Sequence, residues 1–363
     1  MANKAFNFEF VRSVDPDWVS QALIYLVSKN ATFPKVESSA KMDSLKAIID
    51  AARLNKVSNL ISEQSAEQLG LDLRPARGHL DKVKFRTMML NHSSMVTSFR
   101  AHQALAREEI DHVIYKGPFQ QAVLYGGPYV KPSADTDLLV SPKDQCRAFS
   151  ALKQIGFQNK ETHAWWWRRF LHEIHLCDDA GTMIDLHHGL GQAGLPNVRK
   201  TDAILARSEK CEVAGMAVPA LDMVDIPIVA AYSIAKAFLS REPCLGTLLD
   251  FKVAMQKLDS KSVDALKARA QAHGLCNIIG FATAVSSATF EGKIDAPGFF
   301  GLNPEALASM AVTPWKETLP WPKRRHILRV LSGGNSFHTA RDTYWAATAH
   351  ITRSLLDRNR SAA

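Results

Sequence analysis

Asp135-Thr136-Asp137-Leu138-Leu139-Val140 places two carboxylates two residues apart at the head of an apolar run. On a strand, side chains alternate between faces, so both acids point the same way. Like charges that close repel, and they need solvent, a shared proton or a cation. A hard divalent cation such as Mg2+ takes carboxylate and phosphate oxygens together. The plainer alternative is that Asp135 closes the preceding loop while Asp137 lies on an exposed sheet edge.

The flanking residues favour the cation. Val113, Ile114 and Tyr115 are strand formers, and Gly117-Pro118 turns the chain into a helix running to about Tyr125. A helix N-terminus placed directly after a strand offers free amides to a phosphate, with Lys116 as a point charge beside it. A third acid, Asp185, stands in the strand-like run Met183 to His188, which a turn at Asp178 to Gly181 joins to the strand-like Glu173 to Cys177. Asp185 inside such a run wants a partner or an ion. His187 shares its face, where it orients the acid, contacts phosphate or caps the sheet edge.

Taken in order, Lys116-Gly117, Tyr125, Lys131, the Asp135 to Val140 run, Gly156-Phe157 and Asp185-Leu186-His187 resemble the uncharacterised nucleotidyltransferase family of the polymerase-beta-like superfamily. The resemblance spans roughly Asp43 to Leu258. It implies an α+β fold, with a nucleotidyltransferase core of mixed sheet over 108–221 flanked by helical regions at 1–107 and 222–363. It also implies transfer of a nucleoside monophosphate from a nucleoside triphosphate to an acceptor, with release of pyrophosphate. Asp135, Asp137 and Asp185 would then hold Mg2+, with Mn2+ as the alternative, while Lys116, Gly117, Lys131 and His187 would bind phosphate. ATP is the expected donor, and a small molecule, peptide or protein acceptor is expected ahead of RNA. The chain departs from the pattern at Gly117-Pro118, where relatives often carry Gly-Ser, and at Lys131, where many carry Arg. The competing expectation is a catalytically silent nucleotide- or RNA-binding protein on the same fold.

Composition narrows the remaining classes. A chain of 363 residues with 46% apolar residues can bury a substantial core. Its five cysteines are scattered without a CxxC pair, so no disulfide framework or zinc finger is indicated and a cytoplasmic setting is expected. The N-terminus lacks an apolar signal core, and Ile226 to Ala235 is too short to span a bilayer, so no membrane partner is expected. His172-Glu173-Ile174-His175 lacks zinc-protease spacing, and neither a P-loop nor a nucleophile elbow occurs.

A formal charge of +8 suits triphosphates as well as nucleic acid. Lys323-Arg324-Arg325-His326 with Arg329 reads as a solvated helix face. Trp165-Trp166-Trp167, beside Arg168-Arg169, reads as a strand over Ala164 to Arg169, with core packing as the expected role and a one-faced shelf for an acceptor as the alternative. Helices are expected over Asp17 to Ser28 (capped by Asp15-Pro16), Met42 to Leu54, Val57 to Leu69, Leu80 to Arg107, Lys143 to Ile155, Tyr232 to Leu239, Leu245 to Leu258, Val263 to Ala272 and Thr343 to Leu356. A small hairpin is expected over Glu212 to Pro219.

Overall fold

The computed structural model describes residues 16–28, 42–159, 161–196, 198, 200–294, 301–333 and 336–361. The expected cap at Asp15 lies outside them. In chain order the elements begin with helices α1 (Pro16–Val27), α2 (Met42–Leu54), α3 (Glu63–Gln68) and the long α4 (Arg77–Arg107). Next come β1 (His112–Tyr115), α5 (Gly117–Tyr125), β2 (Asp135–Val140), α6 (Gln145–Gln154), β3 (Gln158–Asn159), α7 (Ala164–Phe170), β4 (Glu173–Cys177) and β5 (Met183–His187). After α8 (Thr201–Leu205), a hairpin of β6 (Glu209–Val213) and β7 (Met216–Ala220) turns through Ala214 and Gly215, both at positive φ (51° and 76°). The chain ends in α9 (Asp225–Ser240), α10 (Leu245–Lys257), α11 (Ser260–His273), α12 (Cys276–Glu291), α13 (Pro304–Val312), α14 (Arg324–Leu331) and α15 (Ser336–Ser361).

Two compact units share these elements. The first draws on Met1–Arg86, Ala230–Lys252 and Gly280–Lys323, and the second on Thr87–Val229, Val253–Ile279 and Arg324–Ala363. The first is helical among the described residues. Its buried Asn55 side chain donates to the Val312 carbonyl (2.8 Å) and accepts from the Leu245 amide (3.1 Å), tying three distant segments by paired polar groups.

The second unit holds the sheet, in the order β3-β4-β5-β2-β1-β7-β6. Strands β2 and β5 run parallel, as do β1 and β7, while the other neighbours are antiparallel. The expected α+β architecture with a mixed sheet therefore holds. Alternation along β2 explains its place: Leu138 and Val140 enter a core with Ile174, Leu176, Ile184 and Leu186 from neighbouring strands. Met95, Ala101 and Leu105 of α4 and Ala148, Ala151 and Leu152 of α6 cover that face. Burying each of the Leu, Ile, Val and Met side chains among them is worth roughly 1.5–3 kcal/mol. The opposite face carries Asp135, Asp137, Asp185, His187, Glu173 and His175.

Three expectations change. Ala164 to Arg169 is helical, because Trp166, Trp167 and Phe170 recur at helical spacing and are buried while Trp165 is 52% exposed. A strand would have put Trp165 and Trp167 on one face. The Val57 to Leu69 pattern is broken into a short 3-10 turn at Ser58–Leu60 and then α3, because Ser62 caps α3 by accepting from the Ser65 amide. Helix α6 starts at Gln145, after a turn in which the Asp144 amide donates to the Ser141 carbonyl.

Candidate active site

Strand β1 ends in a strained turn. Lys116 has φ 61° and ψ −164°, and Gly117 follows at φ 65°. A lysine in that region costs about 1–3 kcal/mol and persists only where the surroundings enforce it. Here the Lys116 amide donates to the Gln120 side-chain oxygen (3.0 Å), and Pro118 starts α5 with φ already suited to a helix. Gly117 has no spare room, since a Cβ there would lie 3.3 Å from the Ser133 hydroxyl. The turn aims the Lys116 ammonium at Asp137, with Nζ 3.5 Å from Oδ1.

Register assembles the acids. Tyr115 pairs with Asp137 across β1 and β2, and Asp137 with Asp185 across the parallel β2 and β5. On β4, His175 pairs with Asp185 and Glu173 with His187. Side-chain contacts follow from that lattice. His187 Nε2 lies 3.2 Å from Asp137 Oδ1, and its Nδ1 lies 3.6 Å from Glu173 Oε2. His175 Nδ1 lies 2.6 Å from Asp185 Oδ1, and its Nε2 lies 3.5 Å from Glu173 Oε1.

The electrostatics are consistent with this geometry. Burial by itself pushes the Asp137 carboxyl up, but the Lys116 ammonium and the hydrogen bond from His187 outweigh it and hold the group well below the usual carboxylate range. Burial lowers Lys116, yet Asp137, Asp135 and Glu173 raise it further, so the ammonium persists. For His175 the burial cost is exceeded by the hydrogen bond and charge of Asp185, and its pKa rises.

One ligand atom each from Asp137, Asp185 and His187 falls within 4.8 Å of the others. An ion about 2.1 Å from each donor needs separations of up to about 4.2 Å, so small side-chain adjustments suffice. Two carboxylates make the set oxygen-rich. The imidazole adds a nitrogen that later first-row ions accept more readily than Mg2+.

The sequence model of the family described as "Uncharacterised nucleotidyltransferase" matches residues 43–291. The chain belongs to that family. No curated protein matches it. Among solved structures it is similar to the antibiotic-resistance factor ANT(2'')-Ia, at 12% identity over 50% of this chain and 91% of that one, with a TM-score of 0.35. It is also similar to the lincosamide antibiotic adenylyltransferase LnuA, at 13% identity over 42% of this chain and 91% of that one, with a TM-score of 0.29. A third similar structure, an antigenic nucleotidyltransferase-like protein from Paracoccidioides brasiliensis, shows 14% identity over 50% of this chain and 88% of that one, with a TM-score of 0.29.

In this nucleotidyltransferase-family chain, Asp137, Asp185, His187 and Lys116 converge, with Gly117 adjacent in the turn. Asp135 lies two residues earlier on the same strand face; the three residues whose donors close up are Asp137, Asp185 and His187. Lys131 is buried, with its ammonium 5.9 Å from the Tyr125 ring centre. Its backbone is pinned by buried amides, the Lys131 carbonyl accepting from Asn91 (2.8 Å) and Gln121 (2.9 Å). Asn91 also accepts from the Ser133 amide (2.8 Å), and the Ser94 hydroxyl donates to the Asp135 carbonyl (2.9 Å), which sets the approach to β2.

Sequence reading passed over Glu173 as a member of the acid face and over Asn91 and Gln121 as its scaffold. For Glu173 a signal existed, since two-residue alternation through Glu173 and His175 puts both on the face that pairs with His187 and Asp185. Among the described residues, no helix is long and apolar enough to cross a membrane.

Proposed function

We propose that this protein transfers a nucleoside monophosphate from a nucleoside triphosphate, ATP on general abundance, to an acceptor hydroxyl, phosphate or amine in the cytoplasm, using Mg2+ or Mn2+. The observation that carries this reading is the parallel register of β2 and β5, which sets Asp137 beside Asp185 with His187 on one face and Lys116 3.5 Å away. A divalent ion held by Asp137, Asp185 and His187, with Asp135 nearby, would supply charge for the triphosphate and polarise its α-phosphorus.

The remaining work falls to the chain. Lys116 and the amides that open α5 receive phosphate oxygens, where fixed donors match charge that grows in the transition state. Asp185, oriented by His175, accepts the acceptor's proton as the new bond to phosphorus forms and the bond to pyrophosphate breaks. A silent nucleotide-binding protein is the second reading, favoured by Pro118 standing where a serine hydroxyl would face the phosphates. Ser133 counts against it, since its hydroxyl reaches the Gly117 turn from the β2 side.

The direct test is pyrophosphate release from each of the four ribonucleoside triphosphates with Mg2+, against pooled small-molecule, peptide and RNA acceptors. Asp137→Asn and Asp185→Asn should each abolish release at least 100-fold while melting close to the native protein. Unchanged release in a folded Asp137→Asn protein would refute the assignment.

A further inference from the structure

The face of the sheet opposite the acids ends in a second concavity. Glu173, His175, Asp185 and His187 share one face, so His188, one residue further, turns to the face that α6 covers and meets Gln145 there. His172 joins it. The His188 amide donates to the His172 carbonyl (3.0 Å), and the two ring centres lie 5.2 Å apart. A cavity of 540 Å³ is lined by both histidines with Gln145, Trp165, Arg168 and Arg169. A neighbour of 710 Å³ shares the two histidines and extends to Lys200 and Asp202. Both volumes suit a small organic ligand.

The charge of the smaller cavity has one sign. Among the described residues no acid lines it, and neither Arg168 nor Arg169 has a carboxylate partner. Other arginines of this unit are matched: Arg147 holds Asp144, Arg207 holds Asp225 and Arg269 holds Asp222. A concavity walled by unmatched cations concentrates anions.

Its polar groups are also held in place. Arg168 donates to the Gln145 side-chain oxygen (3.2 Å), which leaves the Gln145 amide to donate to His188 Nδ1 (2.7 Å). In a neutral imidazole that accepts at Nδ1, Nε2 carries the proton, so His188 is a second donor. The Arg169 guanidinium sits 4.5 Å above the Trp345 ring centre, a stacking that occupies its face and leaves its N–H edge for an oxyanion. His172 has φ 56°, and its buried Nε2 has no hydrogen-bond partner among the described residues. A strained backbone and an unsatisfied buried nitrogen both cost stability, and together they mark a position kept for binding. Trp165, 52% exposed, adds a flat apolar wall.

We propose that this concavity is a binding site for a small organic phosphate whose flat ring rests on Trp165, separate from the metal-and-triphosphate site. Arg168 and Arg169 take the phosphate oxygens by charge-assisted hydrogen bonds, with His188 and His172 as further donors. The assignment does not depend on nucleotidyl transfer, since no residue of the acid face lines the cavity.

The test titrates phenyl phosphate, inorganic phosphate, benzyl alcohol and benzylamine into the full chain by calorimetry, with tryptophan fluorescence in parallel. The expected result is one equivalent of phenyl phosphate bound, inorganic phosphate about tenfold weaker, and the alcohol and amine weaker still. Arg168→Gln and Arg169→Gln, both at exposed positions, should melt close to the native protein and each bind phenyl phosphate about tenfold more weakly. Trp165→Phe should lose most of the fluorescence change while calorimetry still reads binding. Lys116→Gln and Asp137→Asn should leave phenyl phosphate binding intact, and Arg168→Gln should leave any Mg2+-dependent thermal shift by ATP unchanged. Benzylamine binding as tightly as phenyl phosphate, no binding of any probe at millimolar concentration, or binding lost in Lys116→Gln but kept in Arg168→Gln would overturn the site. Loss of the ATP shift in Arg168→Gln would overturn its separateness. Tighter binding of a single-stranded RNA oligonucleotide that depends on Arg168 would overturn the small-molecule class.

Discussion

At the scale of single residues, His187 is the side chain that most changes the chemistry of the acid face. It touches Asp137 and approaches Glu173, and it is the only nitrogen in the three-donor set. His187→Ala should therefore weaken Mn2+ binding about tenfold or more and Mg2+ binding less, as isothermal titration with each ion would read. Equal losses for the two ions would remove His187 from the donor set. His112, on the other side of β1, carries a different kind of pH dependence. Burial, opposed only in part by its hydrogen bond to the Ile110 carbonyl, lowers its pKa to about 4. Because the folded value lies below the unfolded value near 6.5, its stabilising effect is complete above about pH 6.5 and is lost as pH falls toward 4. That difference corresponds to about 3 kcal/mol, and the fall in melting temperature between pH 7 and 4.5 should be shallower in His112→Gln. Residue identities were partly legible in the sequence: Asp137, Asp185, His187 and Lys116 were chosen from strand alternation and turn chemistry, and they meet. Glu173 was missed although alternation with His175 signals its face, because only the register of β4 and β5 sets it opposite His187.

At the scale of elements, the β1 turn governs whether the site forms. Gly117→Ala would add a Cβ 3.3 Å from the Ser133 hydroxyl at φ 65°, a conformation that costs an L residue about 1–2 kcal/mol. The expected outcome is a protein destabilised by that amount in urea, with weaker triphosphate binding; unaltered stability would mean that the turn relaxes freely. Strands β1, β2, β4 and β5, helix α5 and the hairpin at Ala214-Gly215 were readable because apolar alternation and Gly or Pro punctuation agree there; the two-residue β3 carries neither signal. The tryptophan helix α7 was not, because six residues rich in Trp satisfy both a period of two and a period of 3.6. Only its neighbours decide, through the Trp167 ring 4.5 Å from His175 and Trp166 donating to the Ala349 carbonyl. The Asn91 and Gln121 anchors were invisible for a related reason: buried amides acquire meaning from the loop they bind.

At the scale of the whole molecule, segments far apart in sequence complete the unit that holds the site. Arg269 on α11 bonds Asp222 (2.7 Å) and lies 3.2 Å from Asp225, which Arg207 also holds. Asp225 is 1% exposed, so removing its cations leaves a buried charge uncompensated. Arg269→Met should cost about 3–5 kcal/mol in denaturant unfolding, and a change under 1 kcal/mol would show that Arg207 alone suffices. The central claim concerns the metal-and-triphosphate site, and thermal unfolding tests it most directly. The native protein and Asp137→Asn would each be melted with ATP, CTP, GTP and UTP, with and without Mg2+. A triphosphate at about a hundred times its dissociation constant adds roughly 2.7 kcal/mol of stability. The expected result is stabilisation by a triphosphate that requires Mg2+ and disappears in Asp137→Asn. Absence of any shift at millimolar triphosphate, or a shift that survives both Mg2+ removal and Asp137→Asn, would contradict it.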